Sequence, residues 1–351
     1  MVYIILVNWN GWRDTIECLE SVFRLRYQKF RVIVCDNGSE DGSLERISEW
    51  AKGDIEAGCS NSALRHLSFP PHPKPIPYAT VSPGEVIHLT GWKERLLLVP
   101  TGANLGFAGG NNVGLRIALS TGDLDYAWLL NNDTVVHPDS LSALVNGMNQ
   151  RPDAGLCGST LLYYHKPDLI QALGGSIYNH WLARVGHIGL GQHISERPPR
   201  EEVERRMRYV AGASMVVSRK LLDRIGLMNE SYFLYFEELD WATRAKGYFS
   251  LAYIPESIVY HKEGSAAKSD YLTRRRSPTT EFYATRNRVL FTRVYYPRAL
   301  MTVFAAATLT SLPWLLNGKW RNFHSHLNGC TMGLRAKIPE VFGESRKSDA
   351  N

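Results

Sequence analysis

Three carboxylate side chains lie close together in the later half of the chain, and their spacing suits acid–base chemistry. The segment FEELDW, at residues 236–241, contains Glu237, Glu238 and Asp240 among aromatic residues. Crowded carboxylates raise one another's pKa, which favours a general base that works near neutral pH. Acids also complement the dipole at the start of a helix, where Arg244 would be an ion-pair partner for Asp240. We expect both interpretations to hold, on different acids.

Polar side chains follow several apolar runs, at positions where strands of a sheet would end. Asn8 and Asn10 follow the first run, Asp36 follows the second, and Asp133 follows a later one. Ligands of parallel α/β sheets bind beyond the carboxyl ends of the strands. An ionised Asp36 would accept hydrogen bonds from a nucleoside base or ribose. The alternative is a capped turn, because Asp-Asn-Gly-Ser is also turn chemistry.

The segment 131–133, Asn-Asn-Asp, offers one hard oxygen anion at a strand end. Such an anion suits Mg²⁺ or Mn²⁺ already carried by a diphosphate, because these ions take few protein ligands beside phosphate oxygens. The alternative is a turn or a helix cap before Pro138. His261 ends the apolar stretch IPESIVYH and could point into the same site, although a lone histidine is more often structural.

A glycine-rich segment, NLGFAGGNN at residues 104–112, precedes a helical pattern. Backbone N–H groups at such a helix start could face an anion. The segment matches neither GxGxxG nor GxxxxGK[ST]. A dinucleotide-binding fold and a phosphate-loop NTPase are therefore not indicated.

The elements that must position these residues alternate along the first 150 residues. Apolar runs predict buried strands, and apolar residues at helical spacing predict helices, the first of them capped by Asp14 and the fourth beginning at Pro138. The strands are expected at 2–7, 30–35, 95–99 and 126–130, and the helices at 14–26, 43–52, 109–120 and 138–149. This alternation predicts an α/β fold with a mostly parallel, doubly wound sheet. Residues 54–94 interrupt the pattern with a Pro-rich insertion, interpreted as a surface loop or lid.

The positive charge is concentrated near the C-terminus. Tyr271–Arg298 contains seven arginines and one acid, Glu281, and the whole chain carries a net charge of +6. Such a strip could meet nucleic acid, anionic lipid or a phosphorylated substrate, or could be a solvated helix face. Ala299–Gly318 follows without any charged residue and is long enough to span a bilayer, to lie in its interface or to be a buried helix. We favour attachment to an anionic membrane surface.

Other classes of protein fit the composition poorly. The five cysteines are scattered and form no CxxC pair, which argues against a zinc finger or a disulfide scaffold. The first residues lack the basic and long apolar regions of a signal peptide. No recognised nucleic-acid-binding motif accompanies the arginines. We therefore expect a cytoplasmic protein that does not bind nucleic acid.

The order of the motifs resembles the rhamnosyltransferase-type members of the family-2 inverting glycosyltransferases. The motifs are ILVNWNG, VIVCDNGSEDGS, NLGFAGGNNVG, WLLNNDTVV, YVAGASMVVS, YFEELDWATRAKGY, VYHKEGSA and FYATRNRVLF, and they extend from about residue 2 to 295. The resemblance implies a GT-A fold and a nucleotide-diphosphate-sugar donor, linked to dTDP or UDP. It also implies a catalytic domain at 1–265 and a basic and apolar helical region at 266–351.

The resemblance assigns roles on the donor side. Asp36 resembles the aspartate that holds the nucleoside base, and Asp133 occupies the second acidic position of an Asp-x-Asp metal motif whose first position is here Asn131. His261 is similar to the histidine that completes the metal site, with Mg²⁺ or Mn²⁺ as the cofactor. The other residues expected to bind the donor nucleotide are Asn8, Asn10, Asn104, Gly106 and Asn132.

On the acceptor side, Glu237 and Glu238 resemble a Glu-Asp pair whose second member is the catalytic base, here one methylene longer. Gly212 and Ala213 match an element near the acceptor, and Asp240 and Trp241 are expected beside it. The acceptor class implied is a lipid-linked sugar or a glycan of the bacterial surface, reached from the inner face of the cell membrane. The alternative is a membrane-associated protein that binds or hydrolyses a nucleotide sugar without transferring it.

Overall fold

The computed structural model describes residues 1–81, 92, 94–262 and 277–336. Parts of the predicted insertion, three arginines of the basic strip (Arg274, Arg275 and Arg276) and the last fifteen residues lie outside the described residues.

Strands and helices alternate through the first half of the chain, as the apolar runs predict. The elements are β1 (Val2–Asn8), α1 (Trp12–Val22), β2 (Phe30–Asp36), α2 (Ser43–Lys52), β3 (Tyr78–Thr80), β4 (Leu96–Pro100), α3 (Gly106–Ser120) and β5 (Tyr126–Asn131). The five strands pair in parallel in the order β3-β4-β2-β1-β5. Their carboxyl ends therefore meet at one edge.

The second half extends the sheet with strands of mixed direction. Its elements are β6 (Thr134–Val136), α4 (Ser140–Gln150), β7 (Ala154–Tyr163), β8 (Lys166–Leu173), β9 (Gly175–Asn179), β10 (Arg184–His187), α5 (Arg200–Arg206), β11 (Tyr209–Val210), β12 (Ser214–Ser218), α6 (Arg219–Ile225), α7 (Glu237–Ala245) and β13 (Ser250–His261). The sheet continues from β5 through β12, β7 and β13 to β6, and β8 pairs with β7. The strands β12, β6 and β8 run antiparallel to their neighbours. A small separate sheet has the order β10-β9-β11.

The core consists of two apolar layers, one on each face of the large sheet. Alternate residues of β1 divide between them: Tyr3 and Ile5 face one layer, Ile4 and Leu6 the other. Helices α1, α2 and α4 cover the face of Ile4, and α3, α6 and α7 cover the face of Tyr3. Burial on both faces explains why the strands read as continuous apolar runs.

Three helices begin at positions that differ from the prediction. Helix α1 begins after Gly11, and Asp14 does not cap it, because the Asp14 carboxylate pairs with Lys262 Nζ at 2.6 Å. Helix α3 begins at Gly106, three residues early. Helix α4 begins at Ser140, two residues after the proline that was expected to start it.

The described part of the insertion packs against the body of the protein. A 3₁₀ helix at Ser62–Leu67 buries Leu64 and Leu67 against Val135 and Tyr164. Further along the insertion, the backbone N–H of His72 donates to the buried carboxylate of Glu20 in α1 at 2.6 Å. The ammonium group of Lys74 donates to the same carboxylate at 3.0 Å. These contacts hold the described part of the insertion as a fixed surface layer.

Three helices follow the sheet: α8 (Pro278–Tyr295), α9 (Leu300–Leu316) and α10 (Trp320–Arg335). Leu290 and Phe291 of α8 belong to the main core, so the division expected at residue 265 does not coincide with a break in the apolar core. The segment Pro297–Leu316 is the one helix among the described residues that is long and apolar enough to cross a membrane, with 24% of it buried inside the protein.

Candidate functional site

The ends of β1 and β2 form a polar corner at the carboxyl edge of the sheet. Asn8 and Asp36 are partners in the strand register, and Asn8 Nδ2 donates to Asp36 Oδ1 at 2.7 Å and to Ser39 Oγ at 3.1 Å. The backbone N–H of Ser39 donates to Asp36 Oδ2 at 3.1 Å. Each carboxylate oxygen keeps a further lone pair, so Asp36 retains capacity to accept from a ligand.

The Asn-Asn-Asp turn between β5 and β6 meets this corner. Asn132 Nδ2 donates to Thr15 Oγ1 at 2.9 Å and lies 3.3 Å from Asn8 Oδ1. Thr15 Oγ1 in turn donates to Asn8 Oδ1 at 2.7 Å. Asn132 therefore connects the turn between β5 and β6 with the end of β1. The sequence analysis did not anticipate Thr15, because this residue lies within a helix.

The glycine-rich segment lies on the other side of Asp36, held by a residue that the sequence did not single out. Asn37 Nδ2 donates to Asn104 Oδ1 and to the Gly106 carbonyl, both at 3.1 Å, and Asn37 Oδ1 accepts from Leu105 N–H at 3.0 Å. The side chain of Asn10 closes the corner by accepting from Glu40 N–H at 2.8 Å. All the predicted donor-side residues thus lie along one edge.

Asp133 and His261 come together, as predicted for a metal site. His261 Nε2 lies 3.0 Å from Asp133 Oδ1 and 3.3 Å from Asn131 Nδ2. Asp133 and His261 are both more than nine-tenths buried. Gln171 Oε1 accepts from His261 Nδ1 at 2.8 Å, which leaves Nε2 as the nitrogen that faces Asp133. Burial opposes ionisation of Asp133, but the attraction of its carboxylate to His261 and Lys262 outweighs this effect. The pKa of Asp133 therefore lies below its ordinary value.

This pair fits a hard divalent cation that brings its own phosphate ligands. Adjacent ligands of an octahedral cation, each roughly 2.1 Å from it, lie about 3 Å apart, which matches the separation of Oδ1 and Nε2. In the described part of the chain, no group of three or more His, Cys, Asp or Glu side chains has a metal-ligating arrangement. A cation at this position would have two side-chain ligands, Asp133 and His261, and a diphosphate would have to supply others.

Lys262, next to His261, forms a buried ionic cluster that the sequence analysis missed. Its ammonium lies 2.6 Å from both Asp14 Oδ1 and Glu17 Oε2, and its backbone N–H donates to the Asp133 carbonyl at 2.9 Å. Tyr164 OH completes the cluster by donating to Glu17 at 2.6 Å. The cluster fixes the end of β13 against the Asn-Asn-Asp turn.

The two adjacent glutamates at the start of α7 have different surroundings. Glu237 is 1% exposed, and its Oε2 has no hydrogen-bond partner among the described residues. Burial and the neighbouring Glu238 raise the pKa of Glu237 well above its ordinary value. Burial raises the pKa of Glu238 to about 7, and this side chain keeps some access to solvent. Glu238 therefore titrates in the range that suits a general base.

Glu238 lies directly against the predicted Gly-Ala element. A β-carbon on Gly212 would overlap Glu238 Oε1 and would lie 3.2 Å from Phe107 Cζ. The carbonyl of Ala213 accepts from the N–H of Asn131 at 3.0 Å. Gly212 and Ala213 therefore connect the carboxylate of Glu238 with the turn that carries Asp133.

The loop before α7 has an unusual backbone conformation. Phe233, Tyr235 and Phe236 have φ values of 65°, 69° and 78°, in the left-handed region that bulky residues rarely adopt. The Phe233 carbonyl accepts from Phe107 N–H at 2.7 Å, and a β-carbon on Gly106 would overlap Phe233. Strained backbone of this kind persists only where surrounding contacts enforce it.

Helix α8 supplies one such contact through Asn287, within the motif FYATRNRVLF. Asn287 Nδ2 lies within hydrogen-bond distance of three carbonyls of the loop, those of Tyr232 and Leu234 at 2.8 Å and that of Tyr235 at 2.9 Å. The sequence motif carried the family resemblance, but no local pattern showed that its asparagine holds the loop before Glu237.

Two residues expected at the acceptor lie in the core instead. Asp240 is fully buried and pairs with Arg244 at 2.8 Å, as the helix spacing predicted, and Tyr295 OH donates to it at 2.8 Å. Trp241 is also fully buried, and its Nε1 donates to the Gly226 carbonyl at 3.0 Å. For Asp240 the reason is the helix period, because Glu238 and Asp240 are two residues apart and point to different sides of α7.

The large sheet has a parallel half, is extended by strands of mixed direction and carries an acidic loop at its carboxyl edge. This is the GT-A arrangement of glycosyltransferases, as expected from the resemblance. The chain belongs to glycosyl transferase family 2, whose model matches residues 3–60 and 85–225. It is therefore a glycosyltransferase.

Three curated relatives have names that specify glycosyltransferases. Two N-acetylglucosaminyl-diphospho-decaprenol L-rhamnosyltransferases from strains of Mycobacterium tuberculosis are 27% identical over 195 residues, which cover 49% of this chain and 61% of each relative. The low-salt glycan biosynthesis hexosyltransferase Agl10 of Haloferax volcanii is 24% identical over 150 residues, 42% of this chain and 45% of Agl10. The chain thus spans about half to six-tenths of these relatives.

Among solved structures, GalNAc-T7 with UDP, GalNAc and Mn²⁺ shares the fold. The similarity has a TM-score of 0.57 at 13% identity and covers 98% of this chain and 57% of that one. At this level of identity, the similarity bears on the fold alone.

Proposed function

We propose that this glycosyltransferase inverts the anomeric configuration of a hexosyl group, with rhamnose favoured, as it moves the sugar from a dTDP- or UDP-linked donor. The acceptor in this proposal is a hydroxyl of a lipid-linked sugar or glycan in bacterial surface glycan synthesis. The names of the M. tuberculosis relatives, which specify rhamnose and a decaprenol-linked acceptor, support both choices.

The observation that carries the proposal is the placement of Glu238. Its carboxyl group has a pKa raised by burial to about 7, and it faces the Gly212–Ala213 element, which is bonded to the turn of Asp133. In the proposed reaction, Glu238 takes the proton from the acceptor hydroxyl as that oxygen attacks the anomeric carbon. The bond to the diphosphate breaks in the same displacement, so one step inverts the configuration without a covalent intermediate.

Glu237 serves this base indirectly. Burial and the Glu238 charge raise the pKa of Glu237 well above its ordinary value, which favours the neutral form of Glu237. A neutral Glu237 leaves the negative charge of the pair on Glu238, the member with some access to solvent.

We assign the donor to the edge formed by β1, β2 and α3. In this assignment, Asp36 accepts from the nucleoside base and Asn8, Asn10 and Asn132 form the wall around it. The segment Asn104–Gly106 is assigned to the diphosphate. The buried hydrogen bonds from Asn8 and Ser39 keep the Asp36 carboxylate in one orientation. A preorganised acceptor of this kind loses little entropy when a base binds.

Asp133 and His261 would hold the Mg²⁺ or Mn²⁺ ion. When bound, the ion would offset the negative charge that develops on the leaving diphosphate. Gln171 orients the imidazole, and Lys262 fixes the backbone of Asp133, so the chain holds both ligand atoms in place.

A lipid-linked acceptor would place the enzyme on the inner face of the cell membrane, which agrees with the long apolar helix at Pro297–Leu316. In this location, the charged donor would be reached from the cytoplasm. The acceptor would remain in the lipid while its sugar hydroxyl entered the site beside Glu238.

The direct test is transfer to a polyprenyl-diphosphate-linked sugar with dTDP- and UDP-linked donors. We expect a product with inverted anomeric configuration by NMR, and a loss of about 10²–10⁴ in rate for Glu238→Gln. Asp223→Asn, on the exposed surface of α6, is the matched control and should leave the rate unchanged. Retained configuration, or full activity of Glu238→Gln, would contradict the proposal.

A further inference from the structure

Helix α9 contains no charged residue, and only one stripe of it is buried. Val303, Ala307 and Ser311, spaced four residues apart, face the protein. The opposite side of the helix exposes Met301, at 84%, together with Leu309, Leu312 and Leu316, and these four residues form the apolar face of α9. Contiguous exposed apolar surface of this kind marks an interaction site.

The path of the neighbouring helices shows that α9 lies along the protein. On α10, Gly329 packs against the start of α8 at Phe282 and Thr285, and Gly333 packs one turn further along, at Val289, so α8 and α10 run parallel. Helix α9 connects them, packs on both and runs in the opposite direction. Since α8 is anchored in the core through Phe291, α9 could cross a bilayer only if the catalytic body entered it too.

A hairpin from a distant part of the sequence joins the apolar face of α9. In the turn between β9 and β10, Trp181 is 52% exposed, and its carbonyl accepts from Thr302 Oγ1 at 2.6 Å. Ala183 of the same turn packs against Ala299 and Val303. The tip of this hairpin therefore sits beside the first turn of α9 and adds an aromatic ring to its apolar surface.

The charges around this surface are positive. Arg298 precedes α9, Lys319 and Arg321 follow it, and all three are exposed. The only acid in residues 277–336 is Glu281, which is buried against His326. A long apolar strip with cations at both ends complements an anionic bilayer, where apolar groups enter the boundary of the acyl chains and cations meet the headgroups.

We propose that α9 lies in the plane of an anionic membrane, with its apolar face in the lipid, and that Trp181 of the β9–β10 hairpin is a second contact with the same membrane. Tryptophan is suited to this position because its ring combines an apolar body with a polar N–H. The inference rests on the proposed function, which requires a lipid-linked acceptor, and it specifies which surface of the enzyme meets that lipid.

The test is flotation of the full chain with vesicles of phosphatidylcholine alone, or mixed with phosphatidylglycerol. We expect binding to the anionic vesicles, reduced about tenfold or more by Leu309→Lys and, separately, by Trp181→Ala. Tyr248→Ala serves as the control. It removes an aromatic side chain about as exposed as Trp181 but outside both α9 and the β9–β10 hairpin, and no change in binding is expected. Circular dichroism of each variant verifies that the fold is retained.

Several outcomes would overturn the inference. Absence of binding to the anionic vesicles would do so, as would equal losses for Tyr248→Ala and Leu309→Lys. A dimer in sedimentation velocity that Leu309→Lys dissociates, without vesicle binding, would assign the apolar face to a second copy of the chain. Binding of dTDP or UDP, measured on the same preparations, separates this failure from failure of the proposed function, because it does not depend on lipid.

Discussion

The backbone of Gly212 lies so close to Oε1 of Glu238 that a β-carbon at position 212 would overlap the oxygen. Any side chain at this position must therefore push aside the end of the Glu238 side chain, the proposed base. Gly212→Ala should displace the Glu238 carboxylate and lower kcat by about 10²-fold, the usual cost of a small misplacement of a reacting group. The measurement is kcat for sugar transfer, together with the Kd of the donor nucleotide.

Binding of the donor nucleotide serves as the internal control for Gly212→Ala. Asp36 and Asn8 lie on other strands, so the Kd of the nucleotide should be unchanged. A further control is Gly58→Ala, at an exposed position with open space around its α-carbon. Full activity of Gly212→Ala would show that Glu238 is not held against this backbone during the reaction.

The pH dependence follows from the burial of Glu238, which raises its pKa to about 7. A base must be deprotonated, so kcat/KM should be constant above this pH and fall about tenfold per unit below it. The low residual activity of Glu238→Gln should lose this acid limb, because the amide does not titrate. A wild-type profile that stays flat down to pH 5 would contradict the assignment.

Asn287 of α8 should position the acidic loop without contacting substrate. Asn287→Leu removes the donor shared by three loop carbonyls and should destabilise the fold by about 1–3 kcal/mol. We expect kcat to fall while the Kd of the donor nucleotide stays constant, since the loop carries the base. Urea unfolding and steady-state kinetics measure these effects, with Asn149→Leu on the surface as control. A change confined to nucleotide binding would argue against this role.

The Asp240–Arg244 pair should contribute to stability and not to acceptor binding. Arg244→Met leaves a fully buried carboxylate without its cation and should cost about 3–5 kcal/mol. The comparison is Arg219→Met, which breaks an exposed pair of the same spacing and should cost at most about 1 kcal/mol. Equal unfolding free energies for the two variants, from urea titrations, would refute the structural role.

The sequence predicted the parallel half of the sheet because its strands are buried on both faces and read as unbroken apolar runs. It also placed Asp36 and Asp133 at strand ends, where the register brings them to one edge. The predicted starts of α1, α3 and α4 were wrong by two or three residues, since capping residues and turn residues have the same chemistry. Asp14 illustrates this: its carboxylate is used by Lys262, 248 residues away in sequence.

The remaining site residues depend on contacts that no local pattern encodes. Asn37, Gln171 and Asn287 act through backbone groups or side chains that are distant in sequence. The positive φ values at Phe233 and Phe236 oppose the local preference of phenylalanine and arise only because α8 and α3 hold the loop. Asp240 was placed at the acceptor because three clustered acids look equivalent until the helix is oriented.

We propose that the edge of β1, β2 and the Asp133 turn binds a nucleoside diphosphate together with a divalent cation. The most direct measurement is calorimetric titration of dTDP and UDP, with and without Mn²⁺, into the wild-type chain and into Asp133→Ala. We predict that one nucleotide binds more tightly with Mn²⁺ and that Asp133→Ala loses this Mn²⁺-dependent increase. Absence of binding by either nucleotide, or an unchanged Mn²⁺ effect in Asp133→Ala, would contradict the proposed donor site.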